Sequence, residues 1–293
     1  KHLTPELKVK YENALKDAIH EGDTILKSGG TALAAVEAAV VSLENFELFN
    51  AGKGSVFTAV GTHEMDASIM CGRTKDAGAI AAVTGVKNPI SLAAKVLNHS
   101  EHVFLIGEGA LEFGRLYDTV FESEDYFFSE FRHKQWQKVK GTIGSHLDHN
   151  VDIPDKKFGT VGAVALDSHG NIAAATSTGG MTNKSFGRVG DSPMIGAGNY
   201  ANNSTCAVSC TGDGEFFIRG VVAYDISAMI EFGGKSLQEA CQSVIQHRMK
   251  EIGGEGGVIA IDAEGNICLE FNSAGMYRAS KNNDEEVFVK IFQ

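Results

Sequence analysis

Four short segments pair glycines with hydroxyl or charged side chains: Gly159-Thr160, TSTGG at 176–180, GRVGDSP at 187–193 and TGDGE at 211–215. Each alone has an ordinary structural reading, because glycine corners are common between strands and threonine is a normal strand residue. A threonine hydroxyl needs a base before it can attack a carbonyl. GxSxG is absent, no Ser-His-Asp set can be assembled, and the histidines fall mainly in expected helices and linkers. One arrangement needs no separate base. If the chain is cut before Thr160, the freed α-amine, with a pKa of about 7.7–8.0, takes the proton from its own hydroxyl near neutral pH. Gly159 favours such a cut: glycine tolerates strained backbone and leaves Thr160 Oγ room to attack the preceding carbonyl.

The elements that must position these segments can be read from capping and periodicity. Thr4-Pro5 caps an amphipathic helix that runs to Lys27 and stops at Gly29-Gly30; a second, largely apolar helix starts at Thr31. HEMDASIM (63–70) and AGAIAAVTGV (77–86) read as strands, and PISLAAKVLNH (89–99) as a helix entered through Pro89. FESEDYFFSEFRHKQWQKVK (121–140) reads as an exposed helix, and the polar stretch to Lys157 as a linker in which His146 and His149 are solvated rather than metal ligands. In the second half, 162–178 and 257–272 are near-repeats of strand, D-x-x-G-N turn and strand, each a hairpin signal. Between them lie a strand at 204–212 and two helices, one from Gly214 to Phe232 and one opened by a Ser236/Glu239 capping box. Strands apolar on both faces need cover on both sides, so the expected class is α+β, antiparallel sheets between helical layers in an αββα order.

Composition narrows the function. The 293 residues carry a net charge of -11 with no run of five basic residues, which argues against a nucleic-acid partner. No apolar stretch is long enough to span a membrane, and the charged KHLTPELKVK start has no signal-peptide core. The five cysteines lack CxxC spacing and disulfide density, so buried thiols and a reducing, cytoplasmic setting are expected, with a periplasmic one left open by what precedes Lys1.

Taken in order, FGTVGAVALD, AAATSTGGMTNK, GRVGDSP, GAGNYAN and SCTGDGE, preceded by LFNAGKGSVF and HEMDASIM, resemble the plant-type asparaginase / isoaspartyl aminopeptidase family from about Glu6 to Tyr277. The resemblance implies a four-layer αββα N-terminal-nucleophile hydrolase sandwich, a single domain over 1–293 that cleaves itself between Gly159 and Thr160 into halves 1–159 and 160–293, and a dimer of such pairs. It implies hydrolysis of β-aspartyl dipeptides and of L-asparagine. Thr160 would be the nucleophile, Thr178 its hydrogen-bonding partner, and Thr211 with Gly212 the oxyanion hole. Arg188 and Asp191 would hold the substrate's α-carboxylate and α-amine, Gly214 would line the aspartyl pocket, and Asn50 would assist maturation. The resemblance needs no cofactor for catalysis. It implies a structural sodium ion held by the backbone carbonyls of Leu43, Glu44, Phe46, Phe49, Ala51 and Lys53.

Members of that family begin with a strand ending in a His-Gly-Gly-Ala-Gly-like segment, whereas Lys1 stands where the first helix is due; that strand is expected ahead of Lys1. Asp213, inside TGDG, is expected to cap a helix. Two rival readings remain: a glycosylasparaginase-like amidase, set against by TSTGG at 176–180 where that family resembles TSTNG, and an uncleaved, inactive homologue with an interaction role.

Overall fold

The computed structural model of the chain describes residues 3–141, 159–283 and 285–292. Helix α1 (Pro5–Lys27) starts where Thr4 Oγ1 accepts from the Leu7 amide at 3.3 Å, and α2 (Ala32–Glu44) where Thr31 Oγ1 accepts from Ala34 at 3.2 Å. These bonds satisfy amides that a helix start leaves unpaired. Strands β1 (Met65–Cys71) and β2 (Ala77–Val83), helix α3 (Pro89–His99), strand β3 (Phe104–Ile106) and helices α4 (Gly107–Leu116), α5 (Glu124–Phe127) and α6 (Glu130–Val139) complete the first half. The second half holds β4 (Val161–Leu166), β5 (Ile172–Thr178), β6 (Asn199–Ala201), β7 (Cys206–Gly212), α7 (Gly214–Gly220), α8 (Val222–Glu231) and α9 (Leu237–Gln242). A π-helical turn (Ser243–Arg248) then joins α9 to α10 (Met249–Glu251), followed by β8 (Gly256–Asp262), β9 (Ile267–Phe271), β10 (Gly275–Ser280) and β11 (Phe288–Phe292).

One sheet has the order β3-β2-β1-β5-β4 and a second the order β6-β7-β8-β9, with β10 and β11 as a separate pair; every pairing is antiparallel except β2 with β3. Helices α2 to α4 pack their apolar faces on the first sheet, α1 packs on α2 and on the β10–β11 pair, and the helices from α7 to α10 pack on the second sheet, the two sides forming separate hydrophobic clusters. Between the sheets the apolar filling is small, chiefly Ala77, Ala174, Ala201 and Ala207 with Met70 and Ile172. Small and hydroxyl side chains let the sheets approach closely: a Cβ on Gly162 of β4 would fall on Ser209 Oγ of β7, and Ser209 Oγ shares a 2.7 Å hydrogen bond with Thr176 Oγ1. Among the described residues, β4 and β10 each keep one edge unpaired, and both line a cavity of about 730 Å³.

Two expectations need correction. Residues 121–140 form two helices rather than one exposed helix, and Phe127, Arg132, Gln135, Trp136 and Val139 are buried. The cause is Arg132, whose guanidinium donates to the Leu48 and Gly54 carbonyls at 3.1 and 2.9 Å and draws α6 onto the 48–54 loop. The helix expected from Gly214 to Phe232 breaks at Val221, which has φ +47°. There the amides of Ala223 and Tyr224 leave the helical ladder and donate to the Ala197 and Gly196 carbonyls. Asp213 takes the N-cap position of α7, its carbonyl accepting from the Phe216 and Phe217 amides. The polar stretch holding His146 and His149 lies outside the described residues.

Candidate active site

Gly159 and Thr160 lie at the entrance to β4, whose first paired residue, Val161, faces Ser177 of β5. Thr160 Oγ1 donates to Thr178 Oγ1 at 3.2 Å, and the Gly180 amide donates to the same oxygen at 3.0 Å. Strand alternation explains the arrangement. Thr176 and Thr178 of β5 share the face toward the second sheet, while Ser177 turns to α2, where its Oγ donates to Glu44 Oε1 at 2.6 Å.

Asn50 ties three segments together. Its Nδ2 donates to the Gly180 carbonyl at 2.7 Å, its Oδ1 accepts from the Val56 amide at 3.0 Å, and its carbonyl accepts from the Gly179 amide at 2.9 Å. A Cβ on Gly159 would run into the Asn50 side chain, 2.8 Å from its Nδ2, so only glycine fits ahead of Thr160. The bond expected to break therefore rests against Asn50.

Thr211 and Gly212 end β7, and Thr160 and Thr211 line one pocket of about 70 Å³. Thr211 Oγ1 is buried without a hydrogen-bond partner. An unpaired buried hydroxyl costs free energy unless something arrives to use it. At Gly212, φ is +156° and a Cβ would sit 2.5 Å from the Glu255 carbonyl, so the backbone there stays bare.

Arg188 and Asp191 converge on Gly214. A Cβ there would lie 2.8 Å from Arg188 Nη2 and 3.0 Å from Asp191 Oδ1. Asp191 is 4% exposed and its Oδ2 has no partner. Burial pushes its carboxyl up to about 7, against which its own backbone amide and Arg188 pull, while Glu215 and Asp66 add to the rise. The small pocket at Thr160 includes neither Arg188 nor Asp191. The two groups are connected along the chain, since Thr211 and Gly212 close β7 and Gly214 and Glu215 open α7.

The six residues expected to hold sodium surround a tight turn. Here Gly52 lies against the Glu44 carbonyl, 2.6 Å from where its Cβ would be, and a Cβ on Gly54 would fall on the Phe49 carbonyl. The Glu44 and Phe49 carbonyl oxygens therefore lie close against glycine backbone, an approach that a residue with a Cβ would block. Backbone carbonyl oxygens are the donor type that a hard cation takes.

Three polar residues, and the carboxyl of a fourth, Glu44, expected only as a backbone ligand, escaped the sequence reading. Glu215 pairs with Arg188. Glu44, fully buried, accepts from Ser177, from the Ile90 amide at 2.9 Å and from Asn88, and burial pushes its carboxyl up to about 8. Asp66 faces Thr178 in the β1–β5 register and accepts from the Ala82 amide, and burial raises its pKa. Lys184, 2% exposed, donates to the Glu64 carbonyl at 2.8 Å beside Gly180, and burial lowers its pKa. The available signal was a charged residue inside an otherwise apolar or hydroxyl-rich run, as at Asp66 in HEMDASIM.

The family profile described as asparaginase matches residues 1–291. The chain is 50% identical over 279 residues to an isoaspartyl peptidase of Salmonella typhimurium, covering 94% of this chain and 89% of that protein. It is 44% identical to an isoaspartyl peptidase/L-asparaginase of Mus musculus, covering 96% of this chain and 85% of that protein. A probable isoaspartyl peptidase/L-asparaginase 2 of Arabidopsis thaliana is 38% identical, with 100% of this chain and 95% of that protein covered.

Proposed function

The chain belongs to the asparaginase family, and from that premise we propose that it hydrolyses β-aspartyl dipeptides and L-asparagine with Thr160 as a self-generated N-terminal nucleophile. The observation that carries the reading is the pairing of Thr160 Oγ1 with Thr178 in a pocket shared with the unpartnered Thr211 hydroxyl. In maturation, Thr160 Oγ attacks the Gly159 carbonyl, the acyl group moves from nitrogen to oxygen, and water hydrolyses the ester. This frees the α-amine. That amine then takes the Oγ proton as Oγ attacks the substrate's side-chain carbonyl.

The developing oxyanion receives the Thr211 hydroxyl and the Gly212 amide. The ammonium returns a proton to the leaving amine, which departs as ammonia or as an amino acid. Water cleaves the resulting aspartyl ester and restores the hydroxyl. Arg188 binds the α-carboxylate and Asp191, when ionised, the α-ammonium. Both act on the aspartyl end alone, which leaves the leaving group free to vary.

The two face-to-face sheets with helices outside them fit a four-layer αββα N-terminal-nucleophile sandwich, one domain whose halves 1–159 and 160–293 stay together after cleavage, with two such pairs forming a dimer. In the 43–53 turn, the Leu43, Glu44, Phe46, Phe49, Ala51 and Lys53 carbonyls would hold a sodium ion, whose positive charge would brace the turn that carries Asn50. Intact mass tests the reading directly. The mature wild type should give two fragments meeting at Thr160, and Thr160→Ala one unbroken chain without turnover. Activity surviving in that variant would move the nucleophile elsewhere.

A further inference from the structure

The arginine of the proposed clamp is already engaged. Arg188 Nε donates to Glu215 Oε1 at 2.9 Å and Nη2 to Glu215 Oε2 at 2.8 Å, a two-point fork on one side of the guanidinium. We propose that Glu215 is the positioning residue for substrate-carboxylate recognition: it holds the Nε–Nη2 side of Arg188 so that the Nη1–Nη2 end is presented to the ligand. The inference rests on the clamp reading of Arg188 and Asp191.

An unheld arginine samples many rotamers and must lose that freedom on binding. A two-point contact fixes both the direction and the plane of the guanidinium, which a single-point contact does not. The presented end is kept clear by two glycines. A Cβ on Gly190 would lie 2.9 Å from Nη1, and one on Gly214 would lie 2.8 Å from Nη2. Glu215 directly follows Gly214 in α7, so the same turn that makes room for the guanidinium supplies the carboxylate that orients it. The Arg188 side chain is 15% exposed and that of Glu215 53%, so the arginine is enclosed and its holder sits at the rim. Partial burial works against the Glu215 charge, but the Arg188 bonds outweigh it and keep the carboxyl ionised at neutral pH.

Two other roles are open to such a pair. A rim ion pair can be energetically idle. Alternatively, Glu215 can imitate the substrate carboxylate and compete with it. The three roles predict different Michaelis constants. If Glu215 positions Arg188, Glu215→Ala and the isosteric Glu215→Gln raise KM for L-asparagine, the former by about tenfold, with kcat within about twofold. Glu215→Asp recovers part of the loss. For β-alaninamide, which lacks the α-carboxylate, KM does not respond.

A second readout is independent of packing. The charged groups facing Asp191 are Arg188, Glu215 and Asp66, and Asp66 in turn faces Lys184. Removing the Glu215 charge eases ionisation of Asp191, so the acid limb of L-aspartate inhibition moves to lower pH. Intact mass showing both fragments certifies that each variant has folded and matured. An unchanged or lowered KM in both Glu215→Ala and Glu215→Gln would overturn the proposal. Arg188→Ala separates the two layers of argument: if it too leaves KM unmoved, the clamp reading fails; if it raises KM while the Glu215 variants do not, only the positioning role fails.

Discussion

Asp191 should make amine recognition pH-dependent in a range where an exposed aspartate would be silent. Its carboxyl is raised from the usual 3.8 to about 7 by burial, so about a tenth is ionised at pH 6 and about nine-tenths at pH 8. Only the ionised form pairs with a substrate ammonium. Rate profiles alone will not isolate this, because the Thr160 α-amine, at about 7.7–8.0, titrates in the same range. Competitive inhibition by L-aspartate and by succinate does isolate it, since succinate keeps both carboxylates and lacks the ammonium. The ratio of the succinate to the L-aspartate inhibition constant should rise about tenfold from pH 6 to pH 8.

Stability should move the opposite way. The folded pKa lies above the unfolded one, so the folded state holds its proton where the unfolded state has lost it. Stability therefore falls as pH rises from about 4 to about 7. The span from 3.8 to about 7 corresponds to about 4 kcal/mol at about 1.36 kcal/mol per pH unit. Asp191→Asn, with no charge to desolvate, should melt higher than the wild type at pH 8, gain nothing at pH 4, and lose the pH dependence of the inhibitor ratio. A ratio that stays flat from pH 6 to pH 8 in the wild type would refute the reasoning.

Further expectations concern the frame around the nucleophile. In Gly162→Ala the new methyl meets Ser209 Oγ, and the Ala175 carbonyl at 2.9 Å, so the sheets must part beneath Thr160. A loss of about 1–3 kcal/mol by urea denaturation and slower self-cleavage by timed intact mass are expected. Glu44, raised from 4.5 to about 8, makes wild-type stability fall as pH rises through that interval; Glu44→Gln should flatten the decline in urea midpoints, and parallel profiles would contradict the assignment. Thr211→Val should lower kcat by about 10²–10³ with KM little altered, as expected for a donor used only in the transition state.

Local rules in the sequence were enough for α1, α2, α3 and the Ser236/Glu239 start of α9, because a cap, a proline and a 3.6-residue period act within one or two turns of chain. They were enough for both D-x-x-G-N hairpins, since their signal lies in neighbouring residues. The family resemblance carried by the ordered glycine-hydroxyl segments implied a shared site for Thr160, Thr178, Thr211, Arg188 and Asp191. The tertiary structure alone decided which groups those residues meet. Glu44 and Ser177 are 133 positions apart, and Arg188 and Glu215 are 27 apart. No period links such pairs; only the packing of α2 on β5, and of α7 beside the 187–193 turn, brings them together. The break at Val221 and the buried face of α6 have the same origin, because backbone amides and a guanidinium there found better partners in distant carbonyls than in their own helix. Burial belongs to the same class of facts: a carboxyl at 191 or 44 is an ordinary acid in sequence, and it becomes one that titrates near neutrality only when the fold removes its water.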